Sequence, residues 1–261
     1  MRIHSALFVW FVLFPAVVSA QKQGAVEPLR PSRVIDLTHT LNAQTPTYEE
    51  SATPVFQAKT VATIEKERYF AREICLPEHF GTHLDAPAHF ARGHWTLDEI
   101  PPERLVAPLI VIDVSSRVSG NADYQVSAED VTNWEKQAGP VPEGAVVVAR
   151  TGWEARWNSA KDYRNPDAKG IMHFPGYSLE AAKFLVDKRK VFALGIDTLS
   201  IDYGPSPDFP VHQYTLAHDL YHLENLANLD QVPSRGALVV AAPMKLEGGS
   251  GSPVRVLALI R

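Results

Sequence analysis

Eleven consecutive residues, His79-Phe80-Gly81-Thr82-His83-Leu84-Asp85-Ala86-Pro87-Ala88-His89, carry three histidines and one aspartate. Imidazole nitrogens and carboxylate oxygens are common protein ligands of Zn²⁺, Mn²⁺ and Fe²⁺. The four side chains all fall at odd positions, so a strand would place them on one face. Gly81 and Pro87 argue against a regular helix through the stretch. The segment therefore predicts a metal site in a hydrolase that activates water, and the alternative is a histidine-rich surface loop.

Just before this segment we expect a strand that ends near Cys75 or Leu76. A turn should follow, and then a short irregular or helical stretch that holds the ligands. Cys75 is the single cysteine of the 261-residue chain, which excludes an intramolecular disulfide. Its apolar neighbours predict a buried structural thiol.

Working outward, eight runs rich in β-branched or apolar residues predict strands: Val34–Leu37, Phe56–Ile64, Tyr69–Leu76, Leu109–Val114, Ala145–Ala149, Val191–Ile196, Ala237–Ala241 and Val254–Ile260. Capping signals at Ser127 and Ser178 predict helices over Ala128–Ala138 and Leu179–Lys188, and a third helix is predicted from Thr215 to Leu226. Helices interspersed among many strands predict one α/β domain with a mixed sheet or barrel-like core.

The N-terminus predicts export. A signal peptide is expected over residues 1–20, because the apolar run Ala6–Val18 precedes the small-residue cleavage site Val18-Ser19-Ala20. The alternative is an uncleaved membrane anchor. Residues 21–32 are predicted to be a flexible segment and residues 33–261 a single domain. We therefore expect a periplasmic or secreted protein with no stable membrane span after cleavage.

The charge balance narrows the possible partners. The net charge is −5, and no basic run stands out beyond Lys188-Arg189-Lys190. This composition argues against nucleic acid or an anionic membrane surface as a partner. It favours a small substrate that is not strongly anionic.

A second group of ligating residues lies between residues 211 and 229: His212, His218, Asp219, His222 and Glu224. On the predicted helix, His218 and His222 are four residues apart and share a face. The competing pair is His212 and Glu224, whose carboxylate could complete or bridge a metal site. Spacing alone does not decide between the two pairs.

The segment His79–His89 resembles the HxGTHxDxPxH signature of the metal-dependent cyclase family, which includes bacterial kynurenine formamidases and isatin hydrolases. Every fixed position of the signature is present. Further blocks resemble the family in order along the chain: Asp36-Leu37-Thr38, Arg150-Thr151-Gly152-Trp153, Gly195-Ile196-Asp197-Thr198, Asp208-Phe209-Pro210-Val211-His212, Leu223–Leu229 and Gly248-Gly249-Ser250-Gly251.

The resemblance implies roles for individual side chains. His89 matches the catalytic histidine of the family, and Asp85 is able to bridge two metals. His218 and His222 then become residues of the helix surface or residues that support the ligands. Five positions match metal ligands: His79, His83, Asp85, His212 and Glu224.

The resemblance also implies a swivelling β/β/α fold and one or two divalent ions per subunit, Mn²⁺ or Zn²⁺. Family members assemble as homodimers or homotetramers whose active sites receive residues from a neighbouring subunit. Kynurenine formamidases commonly carry Trp-Pro-Gly-Asp where this chain has Thr47-Tyr48-Glu49-Glu50, which puts a formamidase pocket in doubt. Isatin hydrolases carry glutamine where Glu224 stands, and a glutamate favours a second metal.

These features predict hydrolysis of a small amide, either an isatin-like cyclic lactam or an N-formylkynurenine-like aryl formamide, through metal-activated water. His89 would move the proton between water and the leaving nitrogen. Tyr48, Phe90 and Trp95 are candidates for an aromatic wall against a planar substrate, unless each simply packs. The alternatives are a metal-dependent cyclase or dehydratase acting on a hydroxylated ring, and a non-catalytic exported metal- or ligand-binding protein. The intact His89 argues against the latter, because a binding site needs no additional base.

Overall fold

The computed structural model describes residues 31–49 and 55–260. The predicted signal peptide and nearly all of the predicted flexible segment lie outside the described residues, so both stay predictions. Residues from Pro31 onward form one compact unit. Within the described ranges, no helix is long and apolar enough to cross a membrane.

The described residues contain twelve strands: β1 Arg33–Asp36, β2 Gln57–Ala62, β3 Ala71–Cys75, β4 His83–Asp85, β5 Val106–Asp113, β6 Gln125–Val126, β7 Val146–Arg150, β8 Gly176–Tyr177, β9 Ala193–Ile196, β10 Tyr221–Glu224, β11 Ala237–Pro243 and β12 Gly251–Ile260. They also contain six α-helices: α1 Ile64–Glu67, α2 Ser115–Val118, α3 Ala128–Ala138, α4 Ala160–Arg164, α5 Leu179–Phe184 and α6 Pro210–Leu216. Short 3₁₀ segments cover Pro87–His89, Leu97–Glu99, Pro102–Arg104, Trp153–Arg156 and Leu229–Gln231, and a π-helical turn, Leu185–Arg189, continues α5.

Eight strands form one sheet in the order β1-β12-β11-β5-β7-β9-β10-β4. The strands β5, β7, β9 and β10 are parallel to their neighbours in that series, and the remaining pairs are antiparallel. Strand β4 pairs with β12 as well as with β10, so the sheet closes on itself. The predicted α/β domain with a mixed sheet and a barrel-like core is confirmed.

Both faces of the central strands are buried, which explains why β7 is almost entirely apolar. Val146 and Val148 belong to the cluster that fills the barrel, together with Leu84 and Leu223. The alternate residues of β7 pack in a second cluster, under α3 and α5. The site residues of β4 and β10 therefore have a defined face available, opposite the one that fills the barrel.

Local signals explain where the helices were predicted well and where they were not. Helix α3 has the predicted bounds, and its capping box forms because Ser127 and Asp130 exchange hydrogen bonds between side chain and backbone. The predicted helix from Thr215 to Leu226 is wrong: α6 ends at Leu216 and a strand, β10, follows. Short apolar runs do not distinguish strand from helix, and here pairing with β9 and β4 decides the outcome.

The predicted burial of Cys75 is also wrong. Cys75 ends the hairpin formed by β2 and β3 and is exposed. Apolar side chains of the same hairpin region, including Phe70 and Ile74, are more than half exposed. Apolar neighbours in the sequence therefore did not imply an apolar environment for this thiol.

Candidate active site

Two adjacent strands bring the clustered side chains together. Strand β4 carries His83 and Asp85, and strand β10 carries His222 and Glu224. Their antiparallel register sets His222 opposite Asp85 and Glu224 opposite His83. Because the intervening leucines point into the barrel, all four polar side chains share the other face.

The remaining residues of the histidine segment shape its backbone. Gly81 has a φ of +63°, a conformation that L side chains rarely adopt, and a Cβ there would also displace Leu41 Cδ2 at 2.1 Å, so the position favours glycine. Thr82 Oγ1 donates to the carbonyl of Asn225 at 2.6 Å and ties the segment to the end of β10. Pro87 opens the short 3₁₀ segment that carries His89.

Helix α6 contributes His212, and a buried carboxylate holds it. Asp202 accepts hydrogen bonds from the backbone N–H groups of Val211 and His212 at 3.0 Å and from His212 Nδ1 at 2.8 Å. The Nδ1–H therefore points to Asp202, and the lone pair of Nε2 points toward Asp85 and Glu224.

The two carboxylates divide the donor atoms into two halves. Asp85 Oδ1 lies 2.6 Å from His79 Nδ1 and 3.1 Å from His83 Nε2, whereas Oδ2 lies 3.6 Å from His212 Nε2 and 3.5 Å from His222 Nδ1. Glu224 directs Oε2 to His83 at 3.5 Å and Oε1 to His212 at 3.3 Å. We call the half around His79 and His83 the outer half, and the half around His212 and His222 the inner half.

The donor set fits a divalent cation. His83 Nδ1 donates to the carbonyl of Gly81 at 2.9 Å, so its Nε2 faces the carboxylates. In the inner half, the buried atoms Asp85 Oδ2 and His222 Nδ1 have no hydrogen-bond partner. Burial acts to lower the pKa of His83, yet Asp85 and Glu224 raise it to about 9. The cluster therefore attracts positive charge.

His89 lies beside the cluster at the edge of the cavity. Its ring stacks on that of His79 at a centroid distance of 3.9 Å and meets Phe90 edge-on at 4.8 Å. Burial lowers the pKa of His89 to about 4, so its ring is neutral at neutral pH. Atoms of His79, Asp85 and His89 also lie within 4.8 Å of one another, which leaves both a ligand role and a base role open to His89.

A cavity of about 520 Å³ opens onto these side chains, within the range typical of small-molecule sites. Tyr48, Phe90 and Phe209 line it together with His89. The structure places Trp95 elsewhere: its ring packs on the hydrophobic core, under the guanidinium of Arg104 at 4.7 Å. The cavity therefore has an aromatic wall, built from Phe209 rather than Trp95.

A larger cavity of about 830 Å³ lies elsewhere on the molecule, between the β2–β3 hairpin and β12. His39, Cys75, Met244 and Arg255 are among its lining residues. None of the described donors of the two halves lines it. Its size does not make it the better candidate, because the titratable cluster opens into the smaller cavity.

The sequence and its family resemblance predict a helix-surface or supporting position for His222. The helix-surface position is wrong, because His222 is fully buried on β10 within the cluster. His218, by contrast, is exposed and bonds to the carbonyl of Tyr214. The contributions of Asp202 and Phe209 were not anticipated. The strand pattern Tyr-His-Leu-Glu, with polar residues two apart, was the available signal for His222.

The family model described as "Putative cyclase" matches residues 35–203. The chain belongs to this cyclase family. An isatin hydrolase from Roseibium aggregatum is 34% identical over 242 residues, which cover 87% of this chain and 91% of that protein. The solved structure of isatin hydrolase A from Ralstonia solanacearum is similar, with a TM-score of 0.82 at 38% identity, covering 88% of this chain and 92% of that one.

A kynurenine formamidase from Salinibacter ruber is 28% identical over 182 residues, covering 70% of this chain and 76% of that protein. The resemblance inferred from the histidine segment is thus confirmed at the level of the family. This cyclase-family protein is a metal-dependent hydrolase that acts on carbon–nitrogen bonds other than peptide bonds.

Gly251 of β12 lies against the ring of His79 and yields a first prediction. A Cβ at Gly251 would lie 2.5 Å from His79 Cε1 and 2.7 Å from the carbonyl of Leu84. We expect Gly251→Ala to displace His79, lowering metal affinity by roughly 10-fold or more and the free energy of unfolding by about 1–3 kcal/mol. Calorimetric metal titration and chemical denaturation measure the two effects. Gly249→Ala is the control, because its nearest atoms are 3.3 Å away; equal effects in both variants would contradict the prediction.

Proposed function

We propose that this hydrolase opens a small cyclic amide of the isatin type, with N-formylkynurenine-like aryl formamides as the second substrate class. The observation that carries the proposal is the aromatic-walled cavity that opens onto the buried histidine–carboxylate cluster. The greater similarity to isatin hydrolases, in both identity and coverage, favours the lactam. Isatin is planar and bicyclic, so it matches a cavity bounded by aromatic faces.

Phe90 and Phe209 are the residues we propose to hold the substrate ring. Their ring centroids are 5.7 Å apart at an interplanar angle of 56°, and Tyr48 lies 5.9 Å from Phe209. These rings form a continuous apolar surface on one side of the donor cluster. A planar amide resting on it would direct its carbonyl toward the histidines and exclude bulk water from the reacting bond.

We propose that His79, His83, Asp85, His212 and Glu224 hold the metal. A divalent ion in such a site would lower the pKa of water to about 7 and polarise a carbonyl oxygen. His89 then takes the proton of the attacking water and delivers it to the amide nitrogen as the carbon–nitrogen bond breaks. The products are a carboxylate and a free amine. Such proton transfer contributes roughly 10²–10⁴-fold to the rate.

Both Mn²⁺ and Zn²⁺ are compatible with the mixed imidazole and carboxylate donors.

We also propose that the protein is exported and forms a homodimer or homotetramer. The exposed apolar side chains of the β2–β3 hairpin region, such as Phe70 and Ile74, support self-association. Sedimentation velocity of the mature chain tests the assembly, and a monomer at micromolar concentration would contradict it.

The substrate proposal is tested by a screen with the metal under control. The protein is stripped with a chelator, checked by elemental analysis, and assayed on isatin and N-formylkynurenine with Mn²⁺ or Zn²⁺ restored. We expect metal-dependent ring opening of isatin, followed through loss of its absorbance, at a higher kcat/KM than formamide cleavage. Metal-restored protein that cleaves neither compound would refute the proposal. Faster formamide cleavage would move the protein to the second substrate class.

A further inference from the structure

The inner half of the site contains a fourth donor that the family resemblance does not include. His222 is fully buried on β10, between α6 and Asp85. Its two ring nitrogens face different partners: Nε2 lies 2.7 Å from Thr215 Oγ1, and Nδ1 lies 3.5 Å from Asp85 Oδ2. Neither His222 Nδ1 nor Asp85 Oδ2 has a hydrogen-bond partner. A buried ring nitrogen and a buried carboxylate oxygen thus face each other without a hydrogen bond.

The hydroxyl of Thr215 determines which nitrogen of His222 carries the proton. Thr215 Oγ1 lies 2.7 Å from the carbonyl oxygen of Val211, one helical turn earlier, and a carbonyl can only accept. The hydroxyl proton is therefore used on Val211, and Thr215 must accept from His222 Nε2–H. In a neutral imidazole this leaves the lone pair on Nδ1. That lone pair points at a carboxylate oxygen, an arrangement that a cation stabilises.

The neighbouring donors complete the inner half. One ligand atom each from Asp85, His212, His222 and Glu224 lie within 4.8 Å of one another, and all four residues are buried. Two nitrogens and two oxygens are a donor set that Zn²⁺ accepts. His79 and His83 face the other oxygens of the same carboxylates. Each half thus has two imidazoles, with Asp85 and Glu224 shared between the halves.

We infer that His222 is a metal ligand, held in its ligating tautomer by Thr215, and that it gives this hydrolase a second, inner ion beside the ion of the outer half. The inference rests on the proposed metal-dependent function and goes beyond its ligand set. Asp85 and Glu224 each direct one oxygen to the outer half and one to the inner half, so both halves would draw on the same two carboxylates. Thr215 acts through His222 and is a positioning residue.

The test counts bound ions and needs no substrate. Chelator-stripped full-length protein is titrated with Mn²⁺, and electron paramagnetic resonance measures the free ion and any signal from coupled ions. We expect two ions per chain and a coupled signal in the unaltered protein, and one ion without coupling in His222→Leu. Exposed His218→Leu is the matched control and should bind as the unaltered protein does.

Variants of Thr215 separate the positioning role from a loss of folding. Thr215→Val keeps the side-chain volume but removes the hydrogen-bond acceptor for Nε2–H. The proton of His222 should then move to Nδ1, which faces Asp85, so that His222 can no longer act as a metal ligand through Nδ1. We expect about 10–100-fold weaker binding of the second ion, whereas Thr215→Ser keeps the hydroxyl and should restore binding. Circular dichroism melts of the stripped variants verify that each is folded.

Two results would overturn the inference: a single ion in the unaltered protein, or unchanged counts and affinities in both His222→Leu and Thr215→Val. The substrate proposal and the inference about the inner ion can fail independently of each other. If two coupled ions bind and neither isatin nor N-formylkynurenine is cleaved, only the substrate is wrong. If isatin is cleaved with one ion bound, only the inner ion is wrong.

Discussion

Asp85→Asn is expected to abolish metal retention and, with it, turnover. Asp85 contacts histidines of both halves of the site, with His79 at 2.6 Å and His222 at 3.5 Å. Asparagine has the same shape, but it replaces one oxygen with an N–H donor and removes the charge. Partners outside the ligand shell alone are worth about 10–100-fold in metal affinity, so loss of a shared ligand should cost more than about 100-fold. Elemental analysis after dialysis and a calorimetric titration measure this loss.

The control for that variant is Asp219→Asn. Asp219 Oδ1 also contacts a histidine, His94 Nδ1, at 2.8 Å, but the pair is about one-third exposed and lies outside the cluster. Asp219 has a φ of +58°, a conformation that asparagine adopts readily. We expect this control to keep its metal and its activity. Metal content in Asp85→Asn equal to that of the control would show that Asp85 is not a ligand.

His89→Ala is expected to lower kcat by roughly 10²–10⁴-fold while the metal stays bound. The loss follows from removal of the group proposed to carry the proton from water to the leaving nitrogen. The measurement combines steady-state kinetics on the substrate that emerges from the screen with elemental analysis of the same preparation. His89→Gln should be similarly slow, because an amide fills the space without acting as a base.

The metal content of His89→Ala decides between the two roles that the geometry allows. Since atoms of His79, Asp85 and His89 lie within 4.8 Å of one another, a ligand role predicts that metal and activity fall together. A proton-transfer role predicts that only activity falls. His173→Ala is a suitable control, because His173 pairs with Asp123 at 2.9 Å on a partly exposed surface away from the site. Loss of turnover in that control would indicate a general effect on folding.

The sequence could predict what depends on local patterns. The capping box at Ser127 sets the start of α3, and the apolar run of β7 reflects a strand covered on both faces. The candidate ligands of the histidine segment were recognisable because their types, spacing and glycine constraint all occur within eleven residues. In each case the deciding interactions are close along the chain.

Features that depend on distant partners were not predictable in this way. The stretch Tyr221–Glu224 is a strand because β9 and β4 pair with it, and its own residues fit a helix equally well. The environment of His222 follows from that pairing, and so does the orientation imposed by Thr215 of α6. Trp95 was proposed for the aromatic wall from its type alone, whereas Phe209 occupies that wall because the turn before α6 directs it there.

Closure of the sheet through β4 couples assembly of the donor cluster to folding of the chain. Thr82 bonds to Asn225, 143 residues later, so the cluster exists only after the ends of a long chain segment have met. An ion that binds this assembled state and not the unfolded chain stabilises it by about 4 kcal/mol at 1,000 times its dissociation constant. A truncated chain that stops before β10 would lack two of the six candidate donors, His222 and Glu224. Retention of the metal by the protein would therefore indicate that the barrel has closed.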